Sequence, residues 1–258
     1  MLALLSPSKT LDFVTPSRVK THTVPELLDH AERLVAKLSR ISARQLSELM
    51  NISAKLAEEN RGRYRQWSVP FDTSNAKPAV LAFRGDVYEG LSAEEFTAAD
   101  LRYAQGHLRI LSGLYGVLRP LDLMQPYRLE MGTKLATRRG KDLYAFWGER
   151  ITIALNEALA GQQGAPILLN LASNEYFKSV RCDKLRARVI DTGFKERKGD
   201  QYKIISFFAK KARGTLAAYV IKNQIQHVDD LRGFREDGYQ FNKDLSSDDK
   251  FVFTRGKE

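Results

Sequence analysis

PILLNLA, at residues 166–172, is the stretch that decides the fold class. It is an apolar run of strand length that begins with a proline, and it is too short for a helix of ordinary length. A second run of the same kind, MLALLS at residues 1–6, ends at Pro7. Short continuous apolar runs between turn residues are typical of buried strands. The two runs therefore predict strands inside the sheet of an α/β protein.

The segments around these runs carry helical and further strand signals. Three capping-box spacings predict helix starts: Thr23 with Glu26, Ser42 with Gln45, and Ser92 with Glu95. Apolar residues at helical spacing predict helices that end near Leu38, Met50, Arg65, Gly113 and Ile225. Further strands are predicted at 79–83, 202–209 and 250–255. Since helices and strands interleave, we expect a single compact mixed α/β unit over 1–258, with 23–65 as a helical subdomain.

Composition narrows the class of protein. The chain has 258 residues, 43% of them hydrophobic, which is enough for a substantial core. Cys182 is the only cysteine, so an intramolecular disulfide and a cysteine-based zinc site are excluded. The start, MLALLS, is too short for a signal peptide, and no apolar run approaches the roughly 20 residues of a membrane span. We therefore expect a cytoplasmic protein without a membrane partner.

The positive charge is concentrated in three segments. The net charge is +10, and Lys and Arg outnumber Asp and Glu by eight to three over 33–65, eight to two over 102–141, and thirteen to four over 178–222. The last segment contains the cluster Lys210, Lys211 and Arg213, which we place just after a strand. If the segments converge, they form a positively charged cleft that follows a phosphate backbone. The alternative is that they are solvated faces of separate elements.

LSELMNISAKLA, at residues 46–57, resembles a helix-hairpin-helix motif in which Asn51 and Ser53 replace the usual glycines. Asn51 adopts left-handed backbone angles at small cost, and Ser53 is a natural N-cap whose hydroxyl can contact a phosphate. Lys55, Arg61 and Arg63 add positive charge. The alternative is a plain pair of packed helices.

The segment 107–132 holds three glycines and two prolines, so it cannot be one helix. It carries Arg119 and Arg128, which we place on the wall of the cleft because arginine binds phosphate in a bidentate manner. The alternative is that these arginines pair with Asp122 and Glu130 and brace the segment. No phosphate-binding P-loop occurs in the sequence.

Polar residues at predicted strand ends suggest a pocket, which favours an enzyme or a ligand-binding protein. The candidate pocket residues are Lys9, Arg84, Asp86, Asn174, Glu175 and Lys178. No nucleophile–base pair is evident in the sequence, so the catalytic residues stay unassigned. The four histidines lack metal-ligand spacing, so we predict no metal and no cofactor, and only iron binding through carboxylates stays open as a third hypothesis.

Several motifs together are similar to the YaaA family of bacterial peroxide-stress-resistance proteins. They are SPSKTLDF (6–13), LAFRGDVYEGL (81–91), the segment 107–135, LYAFWG (143–148), LNLASNEYFKSV (169–180) and ISFFAKKARG (205–214). The resemblance covers essentially the whole chain. It implies a cytoplasmic protein that protects cells from hydrogen peroxide, with links to lower free iron and to DNA repair and recombination. It also implies the family's "cantaloupe" fold, a basic cleft and a helix-hairpin-helix that falls best on 46–57, with GLYGVLRP (113–120) as the rival.

The sequence leaves two hypotheses of different classes. The first is a non-enzymatic protein of the peroxide stress response that binds double-stranded DNA, or junction and bubble structures, largely independently of sequence. The second is an enzyme or ligand-binding protein that acts on a nucleotide-like or nucleobase-like small molecule in the polar pocket. The sequence does not indicate the oligomeric state.

Overall fold

Both apolar runs form strands of one central sheet. The computed structural model describes residues 1–162 and 164–256. The strands are β1 (Leu2–Leu5), β2 (Thr10–Leu11), β3 (Lys77–Pro78), β4 (Phe83–Arg84), β5 (Leu108–Ser112), β6 (Gly116–Leu118), β7 (Leu123–Met124), β8 (Ile167–Asn170), β9 (Arg188–Lys198), β10 (Gln201–Lys203), β11 (Gln240–Phe241) and β12 (Lys250–Arg255).

Helices pack around this sheet. They are α1 (Leu28–Leu38), α2 (Ala43–Met50), α3 (Ala54–Gln66), α4 (Ala79–Ala82), α5 (Asp86–Leu91), α6 (Ala98–His107), α7 (Leu143–Trp147), α8 (Arg150–Ala160), α9 (Asn174–Phe177) and α10 (Ser206–Lys222). Short 3₁₀ turns occur at Ala93–Glu95, Cys182–Lys184, Val228–Gly233 and Glu236–Gly238. In the part of the chain that the structure describes, no helix is both long and apolar enough to cross a membrane.

The central sheet has the strand order β11-β12-β9-β8-β1-β5-β6, and β10 pairs with β9. The pairs from β12 to β5 along this order are parallel, whereas β11, β6 and β10 pair antiparallel to their neighbours. Every residue of β1 is buried, as expected for a strand covered on both faces. The prediction of a mixed α/β fold from the two apolar runs is confirmed.

The order of the strands creates a switch point beside β1. The next strand of the sheet along the chain, β5, lies on one side of β1, and the later strand β8 lies on the other. Connections therefore leave β1 and β8 in opposite directions, which opens a crevice outside their carboxyl ends.

Helices α5 and α10 cross in close contact at two glycines, Gly90 and Gly214. A Cβ atom on Gly214 would lie 1.7 Å from the Val87 carbonyl oxygen, and one on Gly90 would lie 2.1 Å from the Lys211 carbonyl oxygen. Only glycine permits backbones to approach this closely. The glycine pair thus fixes where the side chains of α5 and α10 stand relative to the sheet.

The region predicted to be helical near the N-terminus contains α1, α2 and α3. Ser42 and Gln45 form the predicted capping box of α2, and Ser53 caps α3 by accepting a hydrogen bond from the Leu56 amide at 3.3 Å. Asn51 has a φ of 51°, in the left-handed region. The two helices and their turn are confirmed, while the DNA-binding role of the hairpin stays a prediction.

The first capping box, at Thr23 and Glu26, is wrong. Thr23 instead forms an isolated β-bridge with Asp122. Its hydroxyl also donates a hydrogen bond to the Asp122 carboxylate at 2.6 Å. Glu26 pairs with Arg119 at 3.2 Å. Because both side chains have these tertiary partners, the helix begins only at Leu28.

The third capping box, at Ser92 and Glu95, is also wrong. Ser92 has a φ of 46° at the end of α5, and an N-cap requires extended backbone angles. The capping box of α6 is formed by Thr97 and Asp100 instead.

Two assignments of element type are corrected in the first half of the chain. Residues 79–82 form the single helical turn α4, and the strand β4 begins only at Phe83. The prediction is wrong because a short apolar run does not distinguish a buried helical turn from a strand. The helix predicted to reach Gly113 ends at His107, and 108–112 form β5. Pairing of β5 with β1 overrides the helical spacing of its leucines.

The strand predicted at 202–209 is wrong for most of its length. Only Gln201–Lys203 forms a strand, and α10 begins at Ser206. The aromatic pair Phe207 and Phe208 suggested a strand, but both lie exposed in the first turn of a helix whose Ala209 is buried. The basic cluster at 210–213 is therefore helical and does not form a loop.

Candidate functional site

A cavity of about 470 Å³ lies at the crevice beside the carboxyl ends of β1 and β8. Ser6 follows β1, Ser173 follows β8, and the Ser173 amide donates to the Ser6 hydroxyl oxygen at 2.8 Å. Helix α5 contributes Asp86, and α10 contributes Lys210 and Arg213 to the lining. The strand ends and the α5–α10 pair thus line one space that contains several charged side chains, which we call the strand-end cavity.

The predicted pocket residues divide into two groups. Lys9, Asp86 and Glu175 line the strand-end cavity, as expected for side chains at neighbouring strand ends. The other three do not line it, for different reasons. Arg84 pairs with Asp12 at 3.0 Å and with Glu94 at 3.6 Å. Lys178 lies over the Tyr144 ring at 5.2 Å from its centroid, and Asn174 begins α9 outside the lining.

Sequence reasoning missed three charged residues of this cavity. Glu130 comes from the arginine-rich central segment, while Lys210 and Arg213 were predicted to contact DNA. The signal that identifies Lys210 and Arg213 is Gly214, whose lack of a side chain allows α10 to touch α5. That signal becomes clear only once 206–222 is recognised as a helix.

The ion pairs of the strand-end cavity satisfy part of its charge. Lys9 lies 2.7 Å from Glu130, which also lies 3.4 Å from Arg128. Lys210 and Asp86 are 3.9 Å apart, at the limit of an ion pair. The cavity therefore brings cations and carboxylates together, and only some of them are firmly paired.

Among the described residues that line the cavity, the Arg213 guanidinium and the Glu175 carboxylate have no ion-pair partner. Among the described residues, the Arg213 side chain makes neither a hydrogen bond nor an ion pair, and burial lowers the pKa of its guanidinium. The Glu175 carboxylate accepts one hydrogen bond, from the Gly132 amide at 2.9 Å. A half-buried guanidinium without a carboxylate partner is an unfavourable arrangement unless an anion joins it.

A second concave feature, of about 990 Å³, runs between α1 and the loop at 136–139. We call it the α1 groove. Within the described part of the chain, its charged lining residues are all cationic: Arg33, Lys37, Arg40, Arg138 and Arg139. The groove thus joins parts of two of the three basic segments found in the sequence.

The cations of the α1 groove repel one another. Burial lowers the pKa of Arg139, and the positive charges of Arg150 and Arg33 lower it further. One terminal nitrogen of Arg139 is buried with no hydrogen-bond partner, and the guanidinium lies over the Phe146 ring at 4.8 Å. Arg33 lies 3.7 Å from Asp29, whose carboxylate is not part of the groove lining. An anion in the groove would relieve this repulsion.

Most arginines predicted to contact DNA have carboxylate neighbours. Arg119 pairs with the buried Asp122 at 2.8 Å, and Arg128 pairs with Glu130, so the bracing alternative for these two is confirmed. Three further cations of the predicted set pair with acids: Arg61 with Glu58, Arg63 with Glu59, and Lys211 with Asp237. DNA contact by the predicted set, including the exposed Lys55, stays a prediction.

The iron hypothesis has no candidate site in the described residues. In 1–162 and 164–256, no three or more His, Cys, Asp or Glu side chains are grouped closely enough to hold a metal ion. The carboxylates Asp86, Glu130 and Glu175 share the strand-end cavity but do not form such a group.

Comparison with known protein families agrees with the motifs. A sequence model of the family described as "Peroxide stress protein YaaA" matches residues 1–245, which is nearly the whole chain. The chain therefore belongs to the YaaA family of peroxide stress proteins.

Proposed function

We propose that this peroxide stress protein binds double-stranded DNA through the phosphate backbone, with the α1 groove as its main contact surface. The observation that carries the proposal is the composition of that groove, where five cations and no carboxylate line the described surface. A concave surface whose charged residues are all positive is suited to bind a polyanion. Contacts with phosphates bind DNA without reading its sequence.

The geometry of α1 favours repeated phosphate contacts. Arg33 and Lys37 are four residues apart and therefore lie on one face of the helix, and Arg40 continues that face past its end. Arg138 and Arg139 approach from the opposite wall. Arginine on both walls permits bidentate contacts with phosphate oxygens.

The hairpin between α2 and α3 extends this surface in our proposal. Gln45 of α2 lines the α1 groove, so the hairpin lies next to it along the chain. Asn51, Ser53 and Lys55 stand at the turn, with Arg61 and Arg63 further along α3. The Ser53 hydroxyl accepts a hydrogen bond from the Leu56 amide and keeps its own O–H for a phosphate oxygen. Because a charged donor makes the stronger contact, we expect Lys55 to contribute more of the affinity at the hairpin.

In this proposal, binding to DNA is what connects the protein to peroxide stress. Iron-dependent oxidation damages DNA, and a protein that coats the backbone limits the access of reactive species to it. Sequence-independent binding fits this task, since damage occurs anywhere along the duplex. In our proposal the iron effect is indirect.

Fluorescence polarisation with a labelled duplex tests the proposal. The double substitution Lys37→Glu with Arg138→Glu should weaken binding by roughly 30-fold or more, because each reversal removes a phosphate contact and adds repulsion. The matched control is Lys203→Glu with Lys243→Glu, two exposed lysines outside the groove lining. It should weaken binding by about twofold, through net charge alone.

Two outcomes would contradict DNA binding by the α1 groove. One is an equal loss of affinity in the groove variant and the control. The other is an affinity of the unmodified protein that stays constant between about 50 mM and about 200 mM salt, since phosphate contacts release counterions.

A further inference from the structure

The strand-end cavity occupies the place in an α/β fold where ligands bind. It lies outside the carboxyl ends of β1 and β8, at the point where the connections diverge. Its volume, about 470 Å³, falls within the usual range for small-molecule sites. The α1 groove shares none of its lining residues, so the two features are separate.

The walls of the cavity are rigidly built. On one side, the Ser6 hydroxyl holds the Ser173 amide, and the Tyr88 hydroxyl donates to the Ser6 carbonyl at 3.0 Å. On the other side, the Gly90–Gly214 crossing fixes α10 against α5. Side chains on such elements are held in place before a ligand arrives, which lowers the entropic cost of binding.

In the described part of the cavity, one cation and one carboxylate have no ion-pair partner at all. Lys9 and Glu130 neutralise each other at 2.7 Å. Within the described residues, the Arg213 guanidinium has no partner, and the Glu175 carboxylate accepts a hydrogen bond only from the Gly132 amide. Arg213 and Glu175 line the same space without pairing with each other, so a molecule between them can bind both.

We infer that the strand-end cavity binds a small organic molecule that carries an oxyanion, a phosphate or a carboxylate, on Arg213 and a hydrogen-bond donor on Glu175. Lys210 supports the anion, because its 3.9 Å separation from Asp86 is too long for a strong ion pair. Asp86 is then free to accept from a second hydroxyl or amino group. The Tyr176 ring and Leu171 line the less polar part of the space.

The chemistry of the site selects both ends of the ligand. A guanidinium binds phosphate or carboxylate through two parallel hydrogen bonds. An ionised carboxylate such as Glu175 accepts hydrogen bonds only, so it favours an amino or hydroxyl group. A bare anion would satisfy Arg213 alone and should bind more weakly than a molecule with both groups.

Isothermal titration calorimetry distinguishes the two oxyanions. Adenosine 5′-monophosphate offers a phosphate with hydroxyl donors, L-serine offers a carboxylate with amino and hydroxyl donors, and adenosine offers donors without an anion. Inorganic phosphate serves as the bare anion. We expect at least one of the first two to bind with a Kd below about 1 mM, inorganic phosphate to bind more weakly, and adenosine not to bind.

Substitutions connect that binding to the cavity. Arg213→Gln should weaken binding of the ligand that the protein prefers by at least about tenfold, which is the loss expected for one charge-assisted contact. Glu175→Gln should weaken binding of that ligand but leave inorganic phosphate unchanged. The matched control is Arg102→Gln, an exposed arginine of α6 outside the cavity lining, which should change nothing.

The inference is overturned if neither adenosine 5′-monophosphate nor L-serine binds, or if Arg213→Gln binds as tightly as the unmodified protein. Should Arg213→Gln fail to fold, Arg213→Lys takes its place, because it keeps the charge but loses the bidentate contact. That variant should lose at least about threefold in affinity, and an unchanged Kd would equally overturn the inference. DNA binding is measured separately, so its failure does not affect this outcome.

Discussion

The α1 groove and the strand-end cavity are both rich in cations, but among the described residues only the cavity also contains carboxylates. In the groove, the described charged residues are all positive, and they come from a helix face and a loop. In the cavity, Lys9, Lys210 and Arg213 face Asp86, Glu130 and Glu175. The groove is a surface with one sign of charge, whereas the cavity is a space where both signs are fixed on rigid elements.

This difference separates a polymer site from a small-molecule site. A duplex presents a long row of identical phosphates, so a surface that binds it needs many cations and little discrimination. A small ligand makes few contacts, so each one must be placed accurately by the scaffold. The variants below test whether the two regions are as independent as this contrast implies.

The largest expected effect is a loss of stability when a methyl group is placed at the contact between α5 and α10. Gly214→Ala should lower the free energy of unfolding by about 3 kcal/mol, because the new methyl group collides with the Val87 carbonyl. The matched control is Gly62→Ala in α3, where nothing lies within 4 Å of the added Cβ. That change should raise stability by about 0.5–1 kcal/mol, and urea unfolding measures both.

Gly214→Ala should also affect the strand-end cavity and the α1 groove differently. In the fraction that stays folded, ligand binding in the cavity should fall while DNA affinity per folded molecule stays the same. Equal stability of Gly214→Ala and Gly62→Ala would show that the close crossing of α5 and α10 is not what positions Arg213.

An intermediate effect is expected at Asp12, where a mixed-sign cluster is fully paired. The Asp12 carboxylate lies 3.0 Å from Arg84 and 3.4 Å from the buried Lys77. Asp12→Asn should cost about 2 kcal/mol of stability at pH 7, because Lys77 loses its counter-charge. Since such a cluster is structural, DNA and ligand affinities should not change.

The pH dependence of this variant has a definite sign. A hydrogen bond from the Thr15 amide, helped by Arg84 and Lys77, holds the pKa of Asp12 well below its usual range. The stabilisation is therefore complete above the unfolded pKa of about 4 and is lost as pH falls below it. Urea titrations should show the difference from Asp12→Asn shrinking below about pH 4, and a constant difference down to about pH 2 would contradict this assignment.

The smallest effect is expected at the hairpin. Ser53→Ala with Lys55→Ala should weaken DNA binding by about two- to threefold, since Lys55 supplies one phosphate contact and the Ser53 hydroxyl, which also caps α3, adds at most one neutral hydrogen bond. Fluorescence polarisation measures it against Lys203→Ala with Lys243→Ala as control. A loss larger than that of the groove variant would move the main DNA contact from α1 to the hairpin.

Local sequence signals predicted the central strands and the hairpin helices well. The run that forms β1 is apolar throughout and the run that forms β8 is apolar except for Asn170, so burial on both faces follows from composition. Ser42 with Gln45, and Ser53 alone, are caps that depend on neighbours a few residues away. Part of the cavity followed too, because parallel strands bring their carboxyl ends to one edge.

The remaining features depend on contacts between distant segments. Ser92 fits a capping box in sequence, but the end of α5 holds it in the left-handed region. Phe207 and Phe208 suggest a strand, but the packing of α10 against α5 makes them helical. Arg213 could not be placed in the cavity without that crossing, and the sequence does not reveal that Arg138 faces α1.

The most direct test of the account measures both activities on the same two variants. DNA affinity and cavity-ligand affinity would be determined for Lys37→Glu with Arg138→Glu and for Arg213→Gln. We predict that the groove variant loses DNA binding and keeps the small ligand, while Arg213→Gln loses the ligand and keeps DNA affinity within about twofold. If Arg213→Gln weakens DNA binding as much as the groove variant does, the two regions form one surface and the account is wrong.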